Sequence, residues 1–564
     1  MNWMKIKRIY SILFVQVIAL FGLSAQEVRL PLDLPVSFSG TYGELRGNHF
    51  HAGYDFRVGG RIGDPIHSIK DGYISRISMS PSGYGKGVYV THLDGTCAVY
   101  GHLSAFTDEI EKLVRKKQYE DESFSVNLYF NQSTFPVKKG DVIGKVGNTG
   151  SSVAPHLHLE VRDENGTPFD FVNEGYYDIK DNVPPIFQRI KFYSYVDTTG
   201  VPETSFLLGF DAPTSLSRVI ELPEKSYICI DAVDKQAGTP GRLAVEHYRV
   251  LLDGETIFDF KVGEMPSYKG GYIKSLIEYG ESYYSGMDMV KSYVEPGNAL
   301  RSHIESKNSG LIILEDTLVH KLRVEVRDGQ DNLSAINYRV KRGNKVQPKG
   351  VSNDGRVPMF WNLPNVYRAD SLSFAIPAAS LYRSILLNVE ERRGFDPNNN
   401  IYSSIWSIGD YLMPMHKAAT IHIKADVPDS LQSKALIMKL NSNGVESAVG
   451  GKWVNGGVQA SVSSFGTYYV AIDTIAPQLS FSFKESAKVT SRSVIYARMR
   501  DNLSGIRSYR VEIDGKWALS YTRRGRIEIV LDPNRFNRGK NHKIVVTAED
   551  SRGNSSRIES DFYW

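Results

Sequence analysis

Seven of the 13 histidines in this 564-residue chain (His49, His51, His67, His92, His102, His156 and His158) fall within about a fifth of its length. Two patterns there have residue types and spacing suited to metal chemistry, His51-Ala-Gly-Tyr-Asp55 and His156-Leu-His158. On an extended strand, residues two apart share a face and sit ~6.6–6.8 Å apart. His156 and His158 then look to one side, with Glu160 next along. At that span two bonds of ~2.0–2.1 Å to one ion are awkward, whereas one ligand plus one acid–base partner is comfortable. Two solvent-facing strand histidines are the competing reading of that pattern alone. Residues four apart on a strand are ~13 Å apart, too far to share an ion. Gly53 permits a bend, and a turn entering a strand would bring His51 and Asp55 together.

Combined, His51, Asp55 and one of the His156/His158 pair make two imidazoles and one carboxylate with a fourth position open, the layout of catalytic rather than structural zinc. Such an ion keeps a net positive charge and lowers the pKa of its water, giving a hydroxide nucleophile near neutral pH and a polarised scissile carbonyl. The site also needs groups that move protons and stabilise an oxyanion. The spare histidine of the pair, and His102 in Tyr100-Gly-His-Leu103, are the candidates.

An ordered series of landmarks surrounds these residues: Phe50-His-Ala-Gly-Tyr-Asp-Phe56, Gly63-Asp-Pro-Ile66, Asp71-Gly72, Gly83-Tyr-Gly85, Tyr100-Gly-His-Leu103, Val137-Lys-Lys-Gly-Asp-Val-Ile-Gly144, Gly147-Asn-Thr-Gly150 and Pro155-His-Leu-His-Leu-Glu160. As a set they resemble the lysostaphin/LytM-type zinc endopeptidases of bacterial cell walls. The resemblance implies Zn2+ ligated by His51, Asp55 and His158, with His102 and His156 as the catalytic pair. It also implies hydrolysis of peptide bonds in peptidoglycan stem peptides or cross-links. Ala154 departs from the glycine usual before Pro-His-Leu-His, and an insertion at 108–130 lengthens a loop able to rim the groove.

Other residues of the stretch read differently. His49 reads as a solvated loop histidine near the groove, His67 as packed beside a strand, His92 as part of the hairpin at Asp94-Gly95, and Tyr84 as a turn tyrosine. Arg46 and Asn48 are candidates for substrate contact.

The elements that must position this site are short alternating strands between glycine turns: Val88–Thr91, Cys97–Tyr100, Val142–Val146 and Leu157–Val161. The interruption Asp108–Tyr119 spaces Ile110, Leu113 and Val114 like a helix face, with acids first and bases last. Downstream the text repeats. Asp181-Asn-Val-Pro, Tyr248-Arg-Val-Leu-Leu-Asp-Gly254 and Leu322-Arg-Val-Glu-Val-Arg-Asp328 correspond to Asp473-Thr-Ile-Ala-Pro, Tyr509-Arg-Val-Glu-Ile-Asp-Gly515 and Ile544-Val-Val-Thr-Ala-Glu-Asp550. Two copies of one alternating unit predict duplicated Ig-like β-sandwiches, the first with an insertion around 272–307. Aspartate-rich turns (Asp328, Asp331, Asp501, Asp550) are irregularly spaced and read as turn chemistry rather than calcium sites.

The expected fold is mainly β. A signal peptide occupies 1–25, a LytM-type antiparallel β-sheet peptidase domain 26–178 with a helical insertion at about 105–130, and β-sandwiches 181–345, 348–472 and 474–564. The N-terminal basic start, apolar Ile9–Leu23 run and Ser24-Ala25 form a secretory signal, the run being shorter than the ~20 residues of a transmembrane anchor. No cysteine near the cleavage point offers a lipoprotein anchor. The mature protein is therefore expected beyond the inner membrane, in the periplasm or cell envelope, with no transmembrane segment. Cys97 and Cys229 are too far apart in sequence to suggest a structural disulfide.

The counts of 67 basic and 63 acidic residues, a net charge of +4, argue against nucleic acid as a partner. Peptidoglycan peptide is the expected partner, with a protein partner for the β-sandwiches as a further expectation. Two other functions compete with the endopeptidase. A non-catalytic activator of other wall hydrolases should lack one of the five residues His51, Asp55, His102, His156 and His158, and all are present. A surface β-sandwich binding protein with a vestigial hydrolase domain should lack zinc.

Overall fold

The computed structural model describes residues 28–47, 49–197, 200–263, 267–343, 355–441, 443–523 and 525–564. The signal-peptide reading of 1–25 and the substrate-contact reading of Asn48 lie outside the described residues. Among the described residues no helix is long and apolar enough to cross a membrane.

The chain is mainly β, and its first domain is built on one antiparallel sheet. Its strands are β1 (Phe38–Gly40), β2 (Tyr54–Arg57), β3 (Gly72–Met79), β4 (Lys86–His92), β5 (Cys97–Gly101), β6 (Val126–Tyr129) and β7 (His156–Arg162), with one helix, α1 (Asp108–Glu120). The spatial order is β1-β2-β7-β5-β4-β3-β6. β7 is central because it is apolar on one face: Leu157, Leu159 and Val161 are fully buried, each contributing ~1.5–3 kcal/mol. Alternation sends His156, His158 and Glu160 to the other face. In register, His158 faces Asp55 on β2 and Gly101 on β5. A Cβ on Gly53 would collide with the carbonyl oxygen of Leu159, so glycine stands there for close approach to β7 rather than for a left-handed bend. Cys97 on β5 and Cys229 in the first downstream unit are both free.

Helix α1 buries Ile110, Val114 and Gln118, one residue per turn at a spacing of four, while Leu113 is 37% exposed. The face read from the sequence is thus rotated, with Gln118 in place of Leu113. Burial of Gln118 is satisfied by its amide, which donates to Phe124 O at 2.8 Å. Acids Asp108, Glu109 and Glu111 open the helix and Lys117 lies in its last turn, matching the macrodipole.

The insertion does not rim the groove, since none of its residues lines the cleft described below. It is instead the platform on which the last domain sits. Tyr119 donates to Asp532 Oδ2 at 2.9 Å and meets Trp517 edge-on at 5.8 Å. Phe124 packs 4.3 Å from Tyr521, and Glu122 pairs with Arg510 at 2.6 Å. Tyr119→Phe removes the donor to a buried carboxylate, and thermal unfolding should report a loss of about 1–2 kcal/mol.

Residues 186–342 form a five-stranded and a six-stranded sheet, 357–472 two five-stranded sheets and a two-stranded pair, and 478–563 a four-stranded and a five-stranded sheet. The first of these units shares a continuous apolar cluster with the sheet of the first domain, whereas the other two enclose clusters of their own. The two repeated segments carry the same hydrogen bonds. Asp253 and Asp514 both sit at φ 51° and bond His320 Nδ1 and His542 Nδ1 at 2.7 Å. Asn332 donates to Asp328 and to Asp181 O, and Asn554 donates to Asp550 and to Asp473 O.

Candidate metal centre

His51 lies just before β2, Asp55 within it and His158 opposite Asp55 on β7, so backbone pairing alone brings three ligating side chains to one point. His51 Nε2 is 3.1 Å from Asp55 Oδ1, His158 Nδ1 is 2.9 Å from the same oxygen, and the two nitrogens are 3.0 Å apart. All three residues are buried. A tetrahedral ion with bonds of ~2.0–2.1 Å needs donors ~3.3 Å apart. Two imidazoles and a carboxylate at this separation therefore fit Zn2+ in both donor type and size.

The unused nitrogens are held from behind. His51 Nδ1 donates to Thr41 O at 2.8 Å, and His158 Nε2 donates to Glu160 Oε1 at 2.9 Å. Glu160, itself fully buried, also receives Arg162 at 2.6 Å and the Tyr84 hydroxyl. Burial alone would raise the Glu160 carboxyl, but His158 and Arg162 outweigh it and hold the group at about 2. Burial likewise opposes charge on His158, yet Asp55 and Glu160 on its two sides raise it to about 9. For Asp55, burial is outweighed by the imidazoles of His156, His158 and His51, which hold the carboxyl far below the usual range. The outer oxygen of Asp55 accepts from Arg46 Nη2 at 2.7 Å, and Arg46 also binds Glu44. Because Glu160 fixes the ring orientation and basicity of His158, Glu160→Gln should weaken zinc affinity about tenfold to a hundredfold. Competition with a chromogenic chelator measures that change.

His102 and His156 stand beside the three. The two rings are 4.8 Å apart, and His102 lies 5.9 Å from His158. His102 Nδ1 donates to Thr149 O at 2.9 Å and His156 Nδ1 to Ala154 O at 2.8 Å. Both Nδ1 protons are committed to backbone carbonyls, and His156 Nε2 lies 3.4 Å from Asp55 Oδ1. Burial, then the neighbouring His156 and His158, lower His102 to about 4, so its ring is neutral at pH 7. His102 adopts φ 65°, a left-handed conformation rare outside glycine.

All five residues line one open cleft of 1380 Å³, together with Arg46, His49 and Tyr84. Pro240, from the first downstream unit, completes one wall. His49 is exposed on the cleft wall. His67 and His92 are elsewhere: His67 bonds Gly140 O and Asp33, and His92 is buried against Asp71 O. Tyr84 is more than a turn residue, because its hydroxyl holds Glu160. Sequence reading noted Glu160 without its role; the alternation His156-x-His158-x-Glu160-x-Arg162 on one strand face was the available signal. The hold of Arg46 on Asp55 had no local signal.

Residues 49–119 and 126–171 match the model described as peptidase family M23, and residues 356–473 match a Zu5-like domain. Over 123 residues the chain is 33% identical to the DD-carboxypeptidase/endopeptidase Mpg of Neisseria meningitidis serogroup B, covering 22% of each. Over 115 residues it is 30% identical to the glycyl-glycine endopeptidase ALE-1 of Staphylococcus capitis, covering 20% of this chain and 24% of the relative. The catalytic domain of lysostaphin from Staphylococcus simulans is 26% identical, covering 24% of this chain and 86% of that one at a TM-score of 0.18. The chain thus spans about a fifth of the length of the curated relatives it matches. The N-terminal domain is an M23 peptidase domain.

Proposed function

We propose that this protein is an exported, zinc-dependent endopeptidase that hydrolyses peptide bonds in peptidoglycan stem peptides or cross-links. The observation that carries the reading is the convergence of His51 Nε2, Asp55 Oδ1 and His158 Nδ1 beside a cleft that also holds His102 and His156. Relatives of the same domain named as endopeptidases support the substrate class.

His51, Asp55 and His158 would hold the metal. Bound there, Zn2+ supplies Lewis acidity toward water and the scissile carbonyl. The remaining work falls to the chain. With its Nδ1 proton on Thr149 O, neutral His102 offers Nε2 as an acceptor for the proton of the attacking water. His156, oriented by Ala154 O, lies on the same wall. Having taken that proton, His102 Nε2–H donates to the developing oxyanion and then returns the proton to the leaving amine, while His156 Nε2, an acceptor in the same tautomer, helps to orient the water. The open cleft admits an extended peptide, and Pro240 narrows one side. Beyond the peptidase domain, the β-sheet units place a wall or protein partner.

Mass spectrometry of muropeptides digested with the purified protein tests the reading. New fragments separated at one stem-peptide or cross-bridge amide are expected, suppressed by a zinc chelator and restored by Zn2+. Unchanged muropeptides under zinc-replete conditions would overturn it.

A further inference from the structure

Outside the cleft, two further groups of carboxylates converge, Asp181, Asp234 and Asp328 in one and Asp473, Asp501 and Asp550 in the other. In each, three ligand oxygens lie within 4.8 Å of one another. Their places correspond: Asp181 and Asp473 enter the repeated units, Asp328 and Asp550 begin the last turn, and Asn332 and Asn554 tie these pairs together. Two like charges ~4 Å apart cost ~1 kcal/mol in water and several times more where water is partly excluded. Three carboxylates so placed call for a counter-charge.

The second group has a positive charge nearby, though not in a salt bridge, since Arg552 Nη1 donates to Ala435 O and Gly451 O. Arg552, two residues past Asp550, interacts with the charges of both Asp550 and Asp473. In the first group the corresponding residue, two past Asp328, is Gln330. Among the described residues, none of Asp181, Asp234 and Asp328 makes a salt bridge with a lysine, arginine or histidine, and the charges acting on Asp234 are those of Asp328 and Asp181. Asp234 is 5% exposed, and its Oδ1 is buried with no hydrogen-bond partner. Asp501 Oδ1 is unpartnered too, but Asp501 is only half-buried and the charge of Arg552 acts on the other two acids of its group. Burial, followed by the two neighbouring acids, pushes the Asp234 carboxyl up to about 7.

We propose that Asp181, Asp234 and Asp328 bind a Ca2+ ion at the junction between the peptidase domain and the first repeated unit. The donors are all hard oxygens on irregular backbone, which suits the variable coordination of Ca2+ better than the near-ideal octahedron of Mg2+ or the nitrogen and sulfur preference of Zn2+. The ion ties the chain entering the unit, at Asp181, to the segment after Asp234. That segment carries Gln236, which bonds Phe38 N and Val36 O of the peptidase domain, and Pro240, which lines the catalytic cleft. Bound Ca2+ therefore fixes one wall of the cleft relative to the sheet.

Calorimetric titration of the zinc-loaded full chain with CaCl2, after removal of calcium, tests the site. About one equivalent is expected per chain, with a rise in unfolding temperature on binding. Asp234→Asn is expected to weaken uptake at least tenfold. Asp181→Asn should do the same, since its amide oxygen can still accept from Val183 N and Ala237 N and the unit stays folded. Asp501→Asn leaves uptake unchanged. The absence of saturable uptake overturns the proposal, as does uptake that persists in both Asp234→Asn and Asp181→Asn or is lost only in Asp501→Asn.

Discussion

His158→Ala protein is expected to purify without zinc and to leave muropeptides intact, a fall in cleavage of at least ~10³-fold. The size of the effect follows from the place of His158. It is the ligand on the central strand, within 3.0 Å of both other donors and backed by Glu160. Its loss leaves one imidazole and one carboxylate, too few for a stable zinc site. The change also removes the imidazole between Asp55 and Glu160, so two buried carboxylates lose a shared partner, and some loss of stability accompanies the loss of metal. Arg46 still pairs with Asp55 and Arg162 with Glu160, which keeps the strand folded. Elemental analysis, circular dichroism and muropeptide digestion on one preparation separate these effects. Undiminished cleavage by a folded, zinc-free variant would sink the enzyme reading.

His102→Ala should behave differently: zinc content unchanged, KM little changed and kcat lowered ~10²–10⁴-fold. His102 touches none of the three ligand atoms as a donor, and its own Nδ1 proton is spent on Thr149 O. What it offers the reaction is Nε2. The left-handed backbone at His102, which costs a non-glycine residue ~1–2 kcal/mol, is held by its N–H on Tyr84 O at 2.8 Å. Strain retained in this way beside a cleft marks a residue placed for its side chain. A variant that loses zinc along with activity would make His102 a structural support of the metal site instead.

Much of the site was legible because its chemistry is local in sequence. Period-two alternation put His156, His158 and Glu160 on one face of β7, and apolar Leu157, Leu159 and Val161 made that strand central. Pairing β7 with β2 then brought Asp55 opposite His158, a step that sequence could suggest only through the turn before Asp55. Illegible features join distant positions by side chains. Tyr84 reaches Glu160 across 76 residues, and Arg46 grips an oxygen of Asp55 that a strand pattern cannot assign. In α1 the pattern gave the helix but misjudged its buried face, because Gln118 is satisfied by a carbonyl that only tertiary structure supplies. The insertion was read as a rim because nothing in a helical period says which distant surface its outer residues meet. In the repeated units, the matching text around Asp253 and Asp514 did foretell matching local bonds.

The seat of the last domain on α1 has a consequence for biosynthesis. Tyr119 and Asp532 are 413 residues apart in the chain. At ~5–20 residues per second the helix is made roughly 20–80 s before its partner surface exists. Through that interval Tyr119 and Phe124 lack the surface that covers them in the finished chain. The first domain to be synthesised is thus among the last to be covered.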